Sequence, residues 1–389
     1  MNILYIYSSN IIPNHGGVQR VTQVLCDYFR LNGHTCYYLS TQYSDDEIEW
    51  QYILPYNELM HPGNIQYLQA FLSDKQIDVV VNQDGLNRKL SKFIIKSCFQ
   101  KVKIISVAHN SLLSSVVNFC AVKFPVFKKY NVAWMMPVFE MKLVKKILFG
   151  MYFLKYRRHF YNVLKFSDNF VLLSKGLEKE LSFFCPHFPS QKVLSIPNPC
   201  TLICKEGDRV SKEKEVLFVG RISFGQKRVD LLLQIWKKIE PLYSDWKLKI
   251  VGDGEDLSKL KQMSKELNLK RVFFEGFQTP ANYYKNASLL CLTSAYEGFP
   301  LVLCEAMTYG TVPVAFDSYV AAKDIIDNEI NGLLIPPFDT EIFAEKLSSL
   351  MSDKRQLATL SSGAKEKAYK YSIDVIGKEW IALFKNRMI

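Results

Sequence analysis

The chain has 389 residues, 48% of them hydrophobic and 22% charged, with a formal net charge of +11. That is a globular composition with length enough for two cores, so domain-scale disorder is excluded. No run of eighteen apolar residues occurs, which argues against a spanning helix. The nine cysteines are irregularly spaced, without His or Cys partners at zinc spacing, and read as reduced core thiols rather than a metal site.

The chain opens on MNILYIYSSNIIPN, which lacks a basic n-region and alternates like a first strand, so a signal peptide is not expected. HGGVQR follows, placing Gly16 and Gly17 before an amphipathic helix, where backbone N–H groups can approach a ligand closely. The apolar runs TCYYLS, DVVVNQ, KIISVAH and NFVLLS then alternate with helical patterns. His109 ends KIISVAH, at the strand end where open α/β sheets hold ligands, although a lone His there is more often structural.

Residues 121–166 carry ten Lys or Arg against the single Glu140, interleaved with residues such as Phe124, Trp134, Phe139 and Phe153. Such a stretch is either a surface meeting anionic lipid or a pair of helices with solvated basic faces. The proline-containing, then charged, stretch at 197–213 reads as a linker.

A second strand series follows: EVLFVG, LKIVGDG, RVFFEGF, LLCLTS, TVPVAF and NGLLIPP. Two such series predict two doubly wound α/β domains with parallel sheets. Arg221 follows the first of these strands, and Lys227 and Arg228 open the next helix, in the manner of a phosphate clamp. The turn Gly252–Asp253–Gly254 is no dinucleotide fingerprint. In SAYEGFPLVLCEAMTYG, Glu297 falls in a loop and Glu305 inside a helix, with Pro300 in its first turn and Gly310 as its stop. The two carboxylates could grip the ends of one extended ligand, with the helix amino terminus between them for an anion. No D-x-D, G-x-S-x-G or P-loop pattern is present.

FVGR with Lys227 downstream, VGDGED, LLCLTSAYEGFPLVLCEAMTYGTVPVAF and NGLLIPPFDTE together resemble the retaining glycosyltransferases of family 4, of GT-B architecture. The resemblance spans about Glu215 to Asp339 and extends to the first half through HGGVQR, VAHN and IPNP. It implies two Rossmann-like domains facing across a cleft: 1–196 on the acceptor side, 214–372 for the nucleotide sugar, and a helix at 373–389 packing back on the first domain. Arg221 and Lys227 would hold the diphosphate, Glu297 the donor sugar and Glu305 the ribose. Gly298, Phe299, Pro300 and Leu301 would line the donor between the two carboxylates. Gly16 and Gly17 would sit at the diphosphate and acceptor side, and His109 would touch the transferred sugar. Arg228 departs from the pattern, since glycine is commoner there.

The expectation is therefore transfer of a hexose or N-acetylhexosamine from a UDP-sugar to a lipid-linked or polysaccharide acceptor in bacterial surface-glycan synthesis. No metal or cofactor and no nucleic acid is expected. The enzyme would be cytoplasmic, peripheral on the inner face of the cell membrane, with residues 121–166 on anionic lipid. The rivals are a nucleotide-sugar epimerase of the same architecture and a non-enzymatic basic protein binding membrane or nucleic acid.

Overall fold

The computed structural model describes residues 1–12, 16–42, 51–98, 102–204, 207 and 209–386. Two compact units emerge, one made of Met1–Asn110, Tyr152–Thr201 and Tyr371–Ile389, the other of Ser111–Met151 and Leu202–Lys370.

The first unit is built on β1 (Asn2–Tyr7), β2 (Thr35–Ser40), β3 (Gln51–Ile53), β4 (Val79–Asn82), β5 (Lys103–Ala108), β6 (Asn169–Leu172) and β7 (Val193–Ser195). They form one sheet in the order β3-β2-β1-β4-β5-β6-β7. All its pairings are parallel, with Ile3 set against Cys36 on one side and Val79 on the other. Every residue of β4 and β6 is buried, as a strand covered on both faces requires. The helix Ile373–Lys385 closes this unit against the helix Gly17–Leu31, and the Phe384 ring meets Phe29 edge-on at 5.2 Å.

The second unit holds β8 (Glu213–Val219), β9 (Lys247–Val251), β10 (Val272–Gly276), β11 (Ala287–Leu292), β12 (Val312–Phe316) and β13 (Leu333–Ile335). Their order is β10-β9-β8-β11-β12-β13, again wholly parallel. The helix Val229–Ile239 covers this sheet with Val229, Leu232, Leu233, Trp236 and Ile239, the helical spacing of one apolar stripe. Both sheets reverse strand order in the middle, at β1/β4 and at β8/β11, where doubly wound sheets bind ligands.

The units do not follow the boundaries read from the sequence. Residues 111–151, expected in the first domain, pack with the second. Asn118 Nδ2 donates to Ala295 O at 2.6 Å and to Ser318 O at 2.7 Å, and the Phe124 ring lies under the Arg228 guanidinium at 5.3 Å. The changeover falls at Thr201/Leu202, inside the expected linker, and the last strand series begins at Glu213.

Residues 121–166 are helical over most of their length, as Phe119–Lys129, Met136–Glu140 and Lys142–Phe166. The last helix turns His159, Phe160, Val163 and Leu164 inward. Its Leu143, Ile147, Met151 and Leu154 are between 54% and 76% exposed. No helix among the described residues is long and apolar enough to cross a membrane.

Candidate functional site

In the second unit the loops after β8 and β11 meet at the switch point, and the sequence there leaves little freedom. Gly252 has φ 143°, and a Cβ on it would come within 1.9 Å of Gly220 O; one on Gly254 would come within 2.3 Å of Ile222 O. Ile222 N donates to Asp253 O at 2.8 Å, and Gly220 N to Val251 O at 3.0 Å. The Gly-Asp-Gly turn is thus the floor against which the β8 loop lies, and only glycine permits that approach.

On this floor Lys227 Nζ donates to Glu297 Oε1 at 2.7 Å, both side chains being largely buried. Arg221 is exposed and donates to Gln226 Oε1 at 2.9 Å. Gln226 O in turn accepts from Ala295 N at 2.7 Å, tying the cation loop to the Glu297 loop. Thr293 Oγ1, at the end of β11, donates to the carbonyls of Lys227 and Arg228. Arg221, Lys227 and Glu297 are therefore neighbours through a continuous hydrogen-bonded frame, in which Lys227 and Glu297 pair directly with each other.

Arg228 is not a free phosphate ligand. Its backbone is left-handed, at φ 49°, and its guanidinium forks onto Asp230, with Nη2–Oδ2 at 3.0 Å, while stacking over Phe124. The extra charge is neutralised, and the residue holds the 111–151 segment to this unit.

Pro300 caps the helix Leu301–Thr308. The helix closes at Gly310, at φ 73°, with Gly310 N donating to Met307 O and Thr311 N to Ala306 O, a glycine-dependent end. Gly298, Phe299, Pro300 and Leu301 are all buried. Glu305 is fully buried too and accepts from Tyr284 Oη at 3.0 Å, so its carboxylate stands one layer behind the loop surface.

Two contributors were not read from the sequence. Tyr319 is buried, and its hydroxyl has no partner among the described residues. Burial, reinforced by the negative charges of Glu297 and Asp317, raises its phenol well above the ordinary value. It lies three residues beyond β12, so inspection of the loop after that strand would have found it. Asn118 has no such signal, since its role depends on a fold contact 177 residues along the chain. No group of three or more His, Cys, Asp or Glu able to hold a metal occurs among the described residues.

Gly16, Gly17 and His109 belong to the first unit. Gly16 is extended, at φ 171°, and caps the helix that Gly17 begins, so its backbone does not itself demand glycine. Ser8 Oγ donates to Asp84 Oδ2 at 2.6 Å across the β1/β4 switch point. His109, after β5, pairs through Nε2 with Gln83 Oε1 at 2.5 Å, and burial pushes its imidazole down to about 4.

Residues 203–367, which hold this clamp, match the family described as glycosyl transferases group 1. This segment belongs to that family. An uncharacterized glycosyltransferase of Haemophilus influenzae is 32% identical over 52% of this chain and 58% of its own length. The lipopolysaccharide 1,6-galactosyltransferase of Salmonella typhimurium is 31% identical over 49% of this chain and 54% of its own. A Campylobacter jejuni α-1,4-N-acetyl-D-galactosaminyltransferase named for an undecaprenol-linked saccharide is 31% identical over 50% and 54%. The matches thus span little more than half the length of these relatives.

The fold comparison covers the whole chain. The lipopolysaccharide outer core galactosyltransferase WaaB aligns over 99% of both chains at a TM-score of 0.69 and 21% identity. Anabaena HepE in complex with UDP and glucose aligns over 98% of this chain and 99% of its own, at a TM-score of 0.73 and 16% identity. The glycosyl transferase segment therefore sits in a chain of GT-B fold, two parallel sheets with helices on their faces.

Proposed function

We propose that the chain is a retaining glycosyltransferase that moves a hexose or N-acetylhexosamine from a UDP-sugar to a lipid-linked or polysaccharide acceptor in bacterial surface-glycan synthesis. The observation that carries this reading is the Lys227–Glu297 pair with Arg221 beside it, on a glycine floor at the switch point of a group 1 glycosyl transferase segment. The donor and acceptor classes find support in the Salmonella and Campylobacter relatives and in HepE, each by its name.

Breaking the glycosidic bond leaves negative charge on the departing diphosphate. Arg221 and Lys227 stabilise that charge, so the reaction proceeds without a divalent metal. A donor phosphate oxygen takes the proton of the attacking hydroxyl, and attack on the face the diphosphate leaves preserves the anomeric configuration. Glu297 contacts the donor sugar. Glu305 is assigned to the ribose hydroxyls, its carboxylate coming within reach once the loop over it gives way. The exposed stripe beginning at Leu143, flanked by Lys and Arg, holds the enzyme to the cytoplasmic membrane face, where a lipid-linked acceptor resides.

The test is slow hydrolysis of a panel of nucleotide sugars by the pure protein, with and without EDTA, the anomer released being read by NMR. A free sugar of retained configuration, from a UDP donor and insensitive to EDTA, is expected. An epimerised nucleotide sugar would establish the epimerase instead, and binding without turnover the non-enzymatic reading.

A further inference from the structure

We propose that Gln83 and Thr22 are positioning residues that hold His109 in the tautomer protonated at Nε2, leaving Nδ1 as an obligate acceptor for a ligand hydroxyl. The inference deepens the reading above, resting on His109 as the residue that meets the sugar.

The hydrogen-bond order fixes the proton. Thr22 Oγ1 lies 2.8 Å from Val18 O, a carbonyl that can only accept, so the hydroxyl hydrogen is committed there. The same oxygen therefore accepts from Gln83, whose Nε2 is 3.0 Å away. With its amide nitrogen turned to Thr22, Gln83 presents Oε1 to His109 Nε2 at 2.5 Å, and that ring nitrogen must donate. Thr22 and Gln83 are 0% and 2% exposed, so water does not compete for either bond.

Nδ1 then carries the lone pair. It is buried and has no partner among the described residues. A buried acceptor left unpaired is costly, and such exceptions in folded proteins call for an explanation. A carbohydrate hydroxyl supplies one, because it donates to Nδ1 with no change in the ring's protonation. Burial also favours the neutral ring, so His109 serves neither as a cation nor as a general acid. A site built on an acceptor alone rejects a sugar that lacks the hydroxyl.

The experiment is a long-range 1H–15N correlation spectrum of histidine-labelled full-length protein near neutral pH, with the His109 signals assigned through His109→Gln. The expected wild-type pattern is a single tautomer protonated at Nε2. In Gln83→Met the pattern moves towards a tautomer mixture, Thr22→Val moves it the same way to a smaller extent, and Gln83→Glu retains the Nε2 proton. Donor hydrolysis by Gln83→Met falls about tenfold in kcat/KM, with partial recovery in Gln83→Glu. An Nδ1-protonated wild type, or an unchanged pattern in both Gln83→Met and Thr22→Val, overturns the proposal. The spectra need no turnover, so they fail or succeed independently of the assignment as a glycosyltransferase.

Discussion

Lys227 Nζ lies 2.7 Å from Glu297 Oε1, with the two side chains only 14% and 9% exposed. The lysine of the loop after β8 is therefore held by the carboxylate of the loop after β11. The Lys227 side chain lies beside Gly220, where a Cβ would meet Lys227 Cε at 3.5 Å, an ordinary van der Waals contact. Glu297 also stands near a buried phenol, Tyr319, whose pKa its charge helps to raise. On the proposed function, donor binding would replace one carboxylate contact with phosphate contacts and free Glu297 to turn to the sugar.

Glu297→Gln consequently separates binding from chemistry. Removal of the negative charge releases Lys227 to phosphate, so UDP affinity stays level or rises, while transfer falls by on the order of a hundredfold. Calorimetry with UDP alongside turnover measures both. A parallel loss of UDP affinity would contradict this division. Glu305→Gln, in contrast, weakens UDP itself if the enclosed carboxylate serves the ribose.

Arg221→Ala and Lys227→Ala each weaken UDP, since charge-assisted hydrogen bonds contribute ~1.5–3 kcal/mol, or roughly tenfold to a hundredfold in Kd. Arg221 is exposed and donates to the neutral amide of Gln226, so its loss leaves the fold unchanged. Loss of Lys227 leaves Glu297 largely buried without its cation, and some stability goes with it. Unchanged Kd in both variants would remove the clamp.

Gly252→Ala breaks the floor of the site. A methyl group 1.9 Å from Gly220 O cannot be accommodated without moving one of two backbones that are hydrogen-bonded to each other, and φ 143° is itself strained for alanine. Denaturant melts should show a loss of about 2–4 kcal/mol, with UDP affinity falling in parallel. Gly33→Ala is the control, because nothing lies within 4 Å of a Cβ there and only its φ of 79° counts against the substitution.

Much of this was legible because buried parallel strands are written as continuous apolar runs. DVVVNQ, NFVLLS, LLCLTS and TVPVAF became β4, β6, β11 and β12, all with buried interiors. The strands missed were β3 and β7, three-residue pieces at the two edges of the first sheet, too short for a period to show. The order of site residues along the chain was legible, but their partners were not. That Lys227 binds Glu297, that the Arg228 guanidinium lies over Phe124, and that Asn118 ties residues 111–151 to the second unit all depend on contacts across tens to hundreds of residues. Local pattern carries no information about these.

The pH response of His109 follows from burial. Its folded value lies near 4, below the ordinary imidazole value, so between those two values the unfolded chain binds the extra proton. The His109 contribution is fully present above about 6.5 and is lost as the pH falls towards about 4. Melting curves between those limits should show a steeper loss in wild type than in His109→Gln. Identical slopes would mean that the ring is solvated.

The segment 121–166 decides whether the protein needs a membrane. Leu143, Ile147, Met151 and Leu154 recur at helical spacing on one face and are exposed, as is Trp134 at 74%. Phe139 is unlike them, because its ring stacks on Phe127 at 5.3 Å and meets Phe119 at 5.4 Å, so it belongs to a local cluster. The cations lie close by, with Lys155 over Tyr156 and Arg157 over Phe153. A basic face alone would bind anionic vesicles through charge at on the order of 1 kcal/mol per well-placed Lys or Arg, and raised salt would release it fully. A basic face with an apolar stripe retains part of its binding at high salt, since apolar burial is not screened. Co-sedimentation with neutral and anionic vesicles at low and high salt should therefore show two components in wild type. Lys142, Lys145 and Lys146 changed together to Glu should abolish the salt-sensitive part. Trp134→Ser with Leu143→Ser and Ile147→Ser should abolish the salt-resistant part while leaving the melting temperature unchanged, because these side chains are exposed. If wild type ignores anionic vesicles at low salt, the stripe faces something other than lipid and the acceptor need not be membrane-bound.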